Sequence, residues 1–215
     1  MKTSVKAVLA LLILTGPVVA QPVPSDQGDT AALIRAYPDF LAGVDGQNLL
    51  WKDSTKMPLT RNTASSYTER LNQPGLLDQL DAPYPDCAPL GIPALNSDPG
   101  RARYEPLFLK MYGASAAQVR QHLEGVNWFG QTVQVTSING AAASLRQVAQ
   151  EVGQHPDLLR YTRPSAGTFL WRRVAGTPRL SVHSFGAAID LNTAYSDYWL
   201  WRGFREGQLG ITYCV

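Results

Sequence analysis

The chain is poor in the residues that carry the commonest covalent chemistries. It has two cysteines among 215 residues, Cys87 and Cys214. Cys87 lies in a proline-rich stretch and Cys214 is the penultimate residue, so a disulfide between them is permitted in an oxidising compartment without being demanded. Nothing points to a thiol nucleophile. None of Lys52, Lys56 and Lys110 has a serine three residues before it, which excludes the Ser-x-x-Lys arrangement of acyl-serine hydrolases. An excess of one charge is also lacking, with 19 Lys and Arg against 17 Asp and Glu, so no nucleic-acid footprint is expected. No internal repeat is visible, which excludes a solenoid or propeller array.

Long apolar runs are confined to the first residues. Lys2 and Lys6 precede the apolar run Ala7 to Leu14, and Gly16-Pro17-Val18-Val19-Ala20 ends it with small residues at a cleavage site. Residues 1–20 therefore read as a secretory signal peptide, with an apolar core too short for a stop-transfer helix. The expectation is a periplasmic or secreted protein with no stable membrane insertion after cleavage. Loss of Lys2 and Lys6 would bring the basic residues level with the 17 acidic ones.

The rest divides into residues 21–100, a helical arm with a proline-rich connector, and residues 101–215, a domain that the arm wraps or docks on. Asp29 reads as an N-cap for a helix reaching Leu41, since Leu33, Ile34, Tyr37 and Leu41 recur at helical spacing. A second helix is expected over residues 63–71, ended by Pro74-Gly75. From Ala82 to Arg101 five prolines preclude continuous backbone donors, so an extended connector is expected. Ser115 and Gln118 have the form of a capping box for a helix carrying Val119 and Leu123, closed by Trp128 and Phe129. Gln131 to Ile138 alternates at period two and reads as a strand. Asn139 is placed to cap a helix with Leu145, Val148 and Val152 on one face.

Residues 167–192 read as three consecutive strands, 167–175, 180–183 and 187–191. The fold class is therefore α+β, a small antiparallel sheet with flanking helices. Within this stretch His183 and Asp190 stand on either side of Gly186, which can take the positive φ of a tight turn. Two facing strands would bring imidazole and carboxylate within about 4.5–5.5 Å and so onto one zinc ion, which accepts both donor types. The same spacing also suits a buried strand histidine and a turn carboxylate.

Ser-x-His-x-x-Gly-x-Ala-x-Asp, as it stands in residues 181–190, resembles the signature of the zinc D-alanyl-D-alanine carboxypeptidase family, which includes the vancomycin-resistance dipeptidase and phage L-alanyl-D-glutamate endopeptidases. Gly167 to Arg172, the turn Ala175-Gly176-Thr177, Asn192 and the run Tyr198 to Trp201 are similar to one branch of it. The resemblance implies a hedgehog/DD-peptidase-like fold and a Zn2+-dependent peptidase acting on peptidoglycan stem peptides. It implies His183 and Asp190 as metal ligands, and Arg172, or its neighbour Arg173, as the group facing an oxyanion or a substrate carboxylate. Ser181 would face the substrate or bond to backbone. Tyr195, Tyr198, Trp199 and Trp201 would line a groove or fill core.

The family also places an acid three residues before a third, histidine ligand well downstream. No histidine follows His183, and neither His122 nor His155 has an acid at that spacing. The expectation is a domain lacking its last strands, truncated at Val215, that holds zinc weakly and hydrolyses barely above background. The alternative is a non-catalytic periplasmic protein that binds peptidoglycan peptide.

Overall fold

The computed structural model describes residues 30–81 and 100–196. The signal-peptide segment, most of the proline-rich connector, both cysteines and the run Tyr198 to Trp201 lie outside the described residues.

The first helix, α1 (Thr30–Ala36), stops before Tyr37-Pro38 rather than reaching Leu41. A residue ahead of proline is pushed out of the helical region by the ring, which forces the chain to turn there. Leu41 instead opens a strand. β1 (Leu41–Asp45), β2 (Asn48–Trp51) and β3 (Lys56–Pro58) form an antiparallel three-stranded sheet in the order β1-β2-β3, which the sequence reading missed. Asp45 pairs with Asn48 across a two-residue turn, and Gly46 has φ of 59°. The Asp45-Gly46 dipeptide is a turn signal of the kind that marks such hairpins.

α2 (Tyr67–Asn72) is capped by Ser66, whose hydroxyl accepts the Glu69 N–H, and α3 (Leu76–Leu80) follows directly. α4 (Glu105–Tyr112) presents Leu107, Met111 and Tyr112 inward. These join Leu33, Leu49, Trp51, Leu76, Val119 and Phe185 in one apolar cluster, so the N-terminal sheet and the region of the signature share a core.

α5 (Ala116–Arg120) has the expected start, with the Ser115 hydroxyl accepting the Gln118 N–H at 3.3 Å and Gln118 Oε1 accepting the Ala114 N–H at 2.7 Å. It ends at Arg120. Leu123 belongs to β4 (Leu123–Trp128), which pairs antiparallel with β5 (Gln131–Thr136). Phe129 and Gly130, both at positive φ, make the two-residue turn, and Asn127 Oδ1 accepts the Gly130 N–H. Both strands carry alternating buried side chains, Val126 and Trp128 against Val133 and Val135.

The helix expected to be capped by Asn139 starts two residues later. Asn139 and Gly140 both have positive φ, and α6 (Ala141–Gly153) begins beyond them. Ala142, Leu145 and Ala149 cover the β4–β5 hairpin, whereas Val148 is 43% exposed and lines a cleft beside Val135 and Leu145. A short α7 (Leu159–Thr162) leads on, and the Thr162 carbonyl accepts the buried Trp128 Nε1–H at 2.8 Å. The fold is thus α+β, built on two small antiparallel sheets.

The three strands expected over residues 167–192 are not strands. Two isolated bridges, Gly167 with Asp190 and Arg173 with Leu180, are their remnant. Residues 182–185 instead make a 3₁₀ turn, because the Ser181 hydroxyl takes the His183 N–H away from a ladder and Gly186, at φ 64°, ends the turn in the left-handed region.

Candidate metal centre

The turn carrying His183 is fixed from below by Phe185. That ring is 1% exposed and packs against Phe108 at 5.3 Å, Tyr112 at 5.8 Å and Trp171 at 6.3 Å between centroids. Ser184, fully buried, fastens the turn sideways: its hydroxyl donates to the Arg172 carbonyl at 2.8 Å and accepts the Arg172 N–H at 3.0 Å. With Leu170 N–H on the His183 carbonyl and Ser181 N–H on the Arg172 carbonyl, residues 170–172 and 181–184 form one unit.

Asp190 arrives on separate backbone. Its N–H donates to the Gly167 carbonyl at 2.9 Å, and its carbonyl accepts from the Ala166 N–H and the Ser165 hydroxyl at 2.9 and 2.8 Å. The two side chains meet. His183 Nε2 stands 3.3 Å from Asp190 Oδ2, with the imidazole mostly buried and the carboxylate about half exposed.

The other ring nitrogen decides what this contact means. His183 Nδ1 lies 2.6 Å from the Thr168 carbonyl, which can only accept, so Nδ1 carries a proton. In the neutral ring Nε2 is then a bare lone pair facing a carboxylate oxygen. Two acceptors this close favour a cation between or beside them, whether a proton on either group or a metal ion. Zinc fits: two donors about 2.1 Å from a tetrahedral ion are roughly 3.4 Å apart. The carbonyl on Nδ1 is also the usual outer partner of a metal-bound histidine.

The other expected residues divide. Arg172 is exposed, and its backbone is held by Ser184 and Ser181. Arg173 donates to the Pro178 carbonyl across the turn, whereas the Arg172 guanidinium is exposed to solvent. Ser181 is 6% exposed and its hydroxyl accepts the His183 N–H, so it shapes the turn. His122 and His155 are exposed on other segments. Among the described residues no three His, Cys, Asp or Glu side chains stand together as a metal-holding group. Two clefts of about 600 Å³ flank the core, and neither is lined by His183 or Asp190. Tyr195 is 54% exposed and packs edge-on against Tyr161 at 4.9 Å, outside the core.

Thr168 is the neighbour of His183 that the sequence does not mark. It acts through a main-chain carbonyl, which every residue type possesses, so no side-chain pattern announces it.

No curated protein and no solved structure matches the chain. A family model described as D-alanyl-D-alanine carboxypeptidase matches residues 175–211, a stretch that contains Ser181, His183 and Asp190 and stops short of Arg172. Over that stretch the chain is similar to peptidases of the D-alanyl-D-alanine carboxypeptidase family.

Proposed function

We propose that the protein is a zinc-dependent peptidase that hydrolyses D-alanyl, or L-alanyl-D-glutamyl, peptide bonds in the stem peptides of peptidoglycan. The observation that carries this reading is the pair of facing acceptors, His183 Nε2 and Asp190 Oδ2 at 3.3 Å, inside the stretch matched by the family model. A zinc ion held there would supply a Lewis acid and a water acidified towards neutral pH. His183 offers Nε2 because the Thr168 carbonyl keeps the proton on Nδ1, and Asp190 offers a carboxylate oxygen from the half-exposed rim. Arg172 presents its guanidinium fork to the substrate carboxylate or to the developing oxyanion. Ser181 serves the site through the backbone of His183.

The reading carries a location with it. A stem-peptide substrate, with residues 1–20 read as a signal peptide, would put the protein in the periplasm or outside the cell. Among the described residues no helix is long and apolar enough to cross a membrane.

A second reading, a non-catalytic protein that binds peptidoglycan stem peptide, is favoured by one observation: two metal-ligating side chains stand together among the described residues, where a catalytic zinc has about three. One experiment separates the two. The purified protein is assayed for bound zinc and for D-alanine release from a peptide ending in D-alanyl-D-alanine, beside a peptide containing L-alanyl-D-glutamate. Zinc-dependent cleavage that is lost in His183→Ala establishes the peptidase. Stem-peptide binding with neither zinc nor cleavage establishes the binding protein.

A further inference from the structure

The outer edge of β5 is used as a template. The N–H groups of Gln134 and Thr136 point away from β4, where an edge strand normally meets solvent. Here the first donates to the Thr168 hydroxyl at 3.0 Å and the second to the Gly186 carbonyl at 3.0 Å. Further along the strand the Gln131 side-chain amide bonds the Ser165 backbone in both directions, at 3.0 and 2.9 Å. The segment that pairs with Asp190 and the turn that carries His183 are therefore both docked on one strand edge.

Thr168 joins that edge to the imidazole. It is 5% exposed, its hydroxyl is held by Gln134, and its own carbonyl lies 2.6 Å from His183 Nδ1. Gly167 before it, at φ 131°, is a conformation that side-chain-bearing residues rarely adopt. The backbone on that side is thus intrinsically adaptable, and the direction of the Thr168 carbonyl depends on what fixes its side chain.

We propose that Thr168 is a positioning residue for His183, whose hydroxyl ties to β5 the carbonyl that holds the Nδ1 proton and leaves Nε2 bare towards Asp190. The inference rests on the zinc reading for its purpose and on the hydrogen bonds alone for its geometry. Valine at this position would keep the shape, lose the acceptor for the Gln134 N–H and free the carbonyl. Serine would keep the acceptor.

The test reads the histidine itself. In metal-free protein labelled with ¹⁵N and held at about pH 8.5, two units above the ordinary imidazole pKa of about 6.5, NMR reports which nitrogen of His183 carries the proton. Wild type and Thr168→Ser are expected to show the proton on Nδ1 alone, and Thr168→Val a mixture. Zinc affinity, measured by competition with a chromophoric chelator, is expected to fall about 10–100-fold in Thr168→Val and to return in Thr168→Ser, the range typical of a lost outer partner. A Thr168→Val protein with the proton still on Nδ1 and unchanged affinity overturns the proposal. Should that variant not fold, wild type decides: a proton on Nε2, or a Gln134 amide that exchanges with solvent as fast as an open loop, overturns it. A wild type that binds no zinc refutes the zinc reading, while the proton position still decides the role of Thr168.

Discussion

His183 Nε2 and Asp190 Oδ2 face each other at 3.3 Å although the two residues arrive on different pieces of backbone, one on a 3₁₀ turn and one on a bridge to Gly167. If a zinc ion joins them, removing either side chain removes a direct ligand. His183→Ala and Asp190→Ala are each expected to weaken zinc binding by more than the about 10–100-fold that an outer partner costs. The double variant should be little worse than either alone, because both act on one ion. Titration calorimetry with zinc checks this, with circular dichroism to show that the fold is kept. Near-wild-type affinity in either single variant would place the metal elsewhere.

Ser184 is expected to matter for stability as much as His183 does for the metal. Its buried hydroxyl is the partner of the Arg172 N–H, whereas the Arg172 carbonyl also has the Ser181 N–H. Ser184→Ala leaves the part-buried Arg172 N–H without its acceptor, a loss of about 1 kcal/mol. Urea unfolding monitored by tryptophan fluorescence would read it as a lower midpoint with an unchanged slope. An unchanged midpoint would mean that water or a backbone shift satisfies the Arg172 N–H.

What the sequence disclosed and what it hid follow from the kind of group involved. The meeting of His183 and Asp190 was legible because two chemically specific side chains flank a glycine that permits reversal. The backbone between them has the pattern of strands, which does not say that the Ser181 hydroxyl will compete for the His183 N–H. Leu123 lies four residues after Val119, a helical spacing that pairing with Thr136 on β5 overrides. The start of β1 is hidden because Tyr37 and Leu41 continue a helical period across Pro38. The roles of Thr168 and Gly186 as acceptors belong to main-chain or hydroxyl oxygens placed by β5, a contact that appears only in three dimensions.

Acid should reveal a different part of the molecule. Lys110 Nζ lies 2.6 Å from Asp53 Oδ2, and Thr55 donates to Oδ1 from both its N–H and its hydroxyl. These bonds, that of Lys110 foremost, hold the Asp53 carboxyl down to about 2. A carboxylate whose folded pKa is depressed contributes stability that is present above its unfolded value of about 3.9 and is lost as pH falls towards the folded value. Asp53→Asn is therefore expected to lower stability at neutral pH and to close the gap to wild type between about pH 4 and pH 2. The pair is exposed, so added salt should shrink the gap as well. Denaturant midpoints across that pH range check both; a gap that is constant with pH would remove Asp53 from the acid transition.

The close approach of the His183 turn to β5 can be tested at Gly186 against Gly176. Both have positive φ, 64° and 73°, so alanine at either place should cost about 1–2 kcal/mol in backbone strain. The surroundings differ. A Cβ on Gly176 meets nothing within 4 Å, while one on Gly186 would come within 2.4 Å of Leu123 Cδ2 and 3.2 Å of the Thr136 nitrogen. Leu123 can rotate away, but Thr136 N is the backbone donor to Gly186 O at 3.0 Å, so the added carbon presses on the bond that docks the turn. Gly186→Ala is expected to lose a further 1–3 kcal/mol or so from overpacking, and to weaken zinc binding because His183 moves with the turn. Gly176→Ala should show the strain alone and keep its zinc affinity. Denaturant unfolding and zinc titration of the two variants side by side give the answer: equal losses of stability with zinc affinity kept in both would mean that the turn is held by Phe185 and Ser184 and owes nothing to the edge of β5.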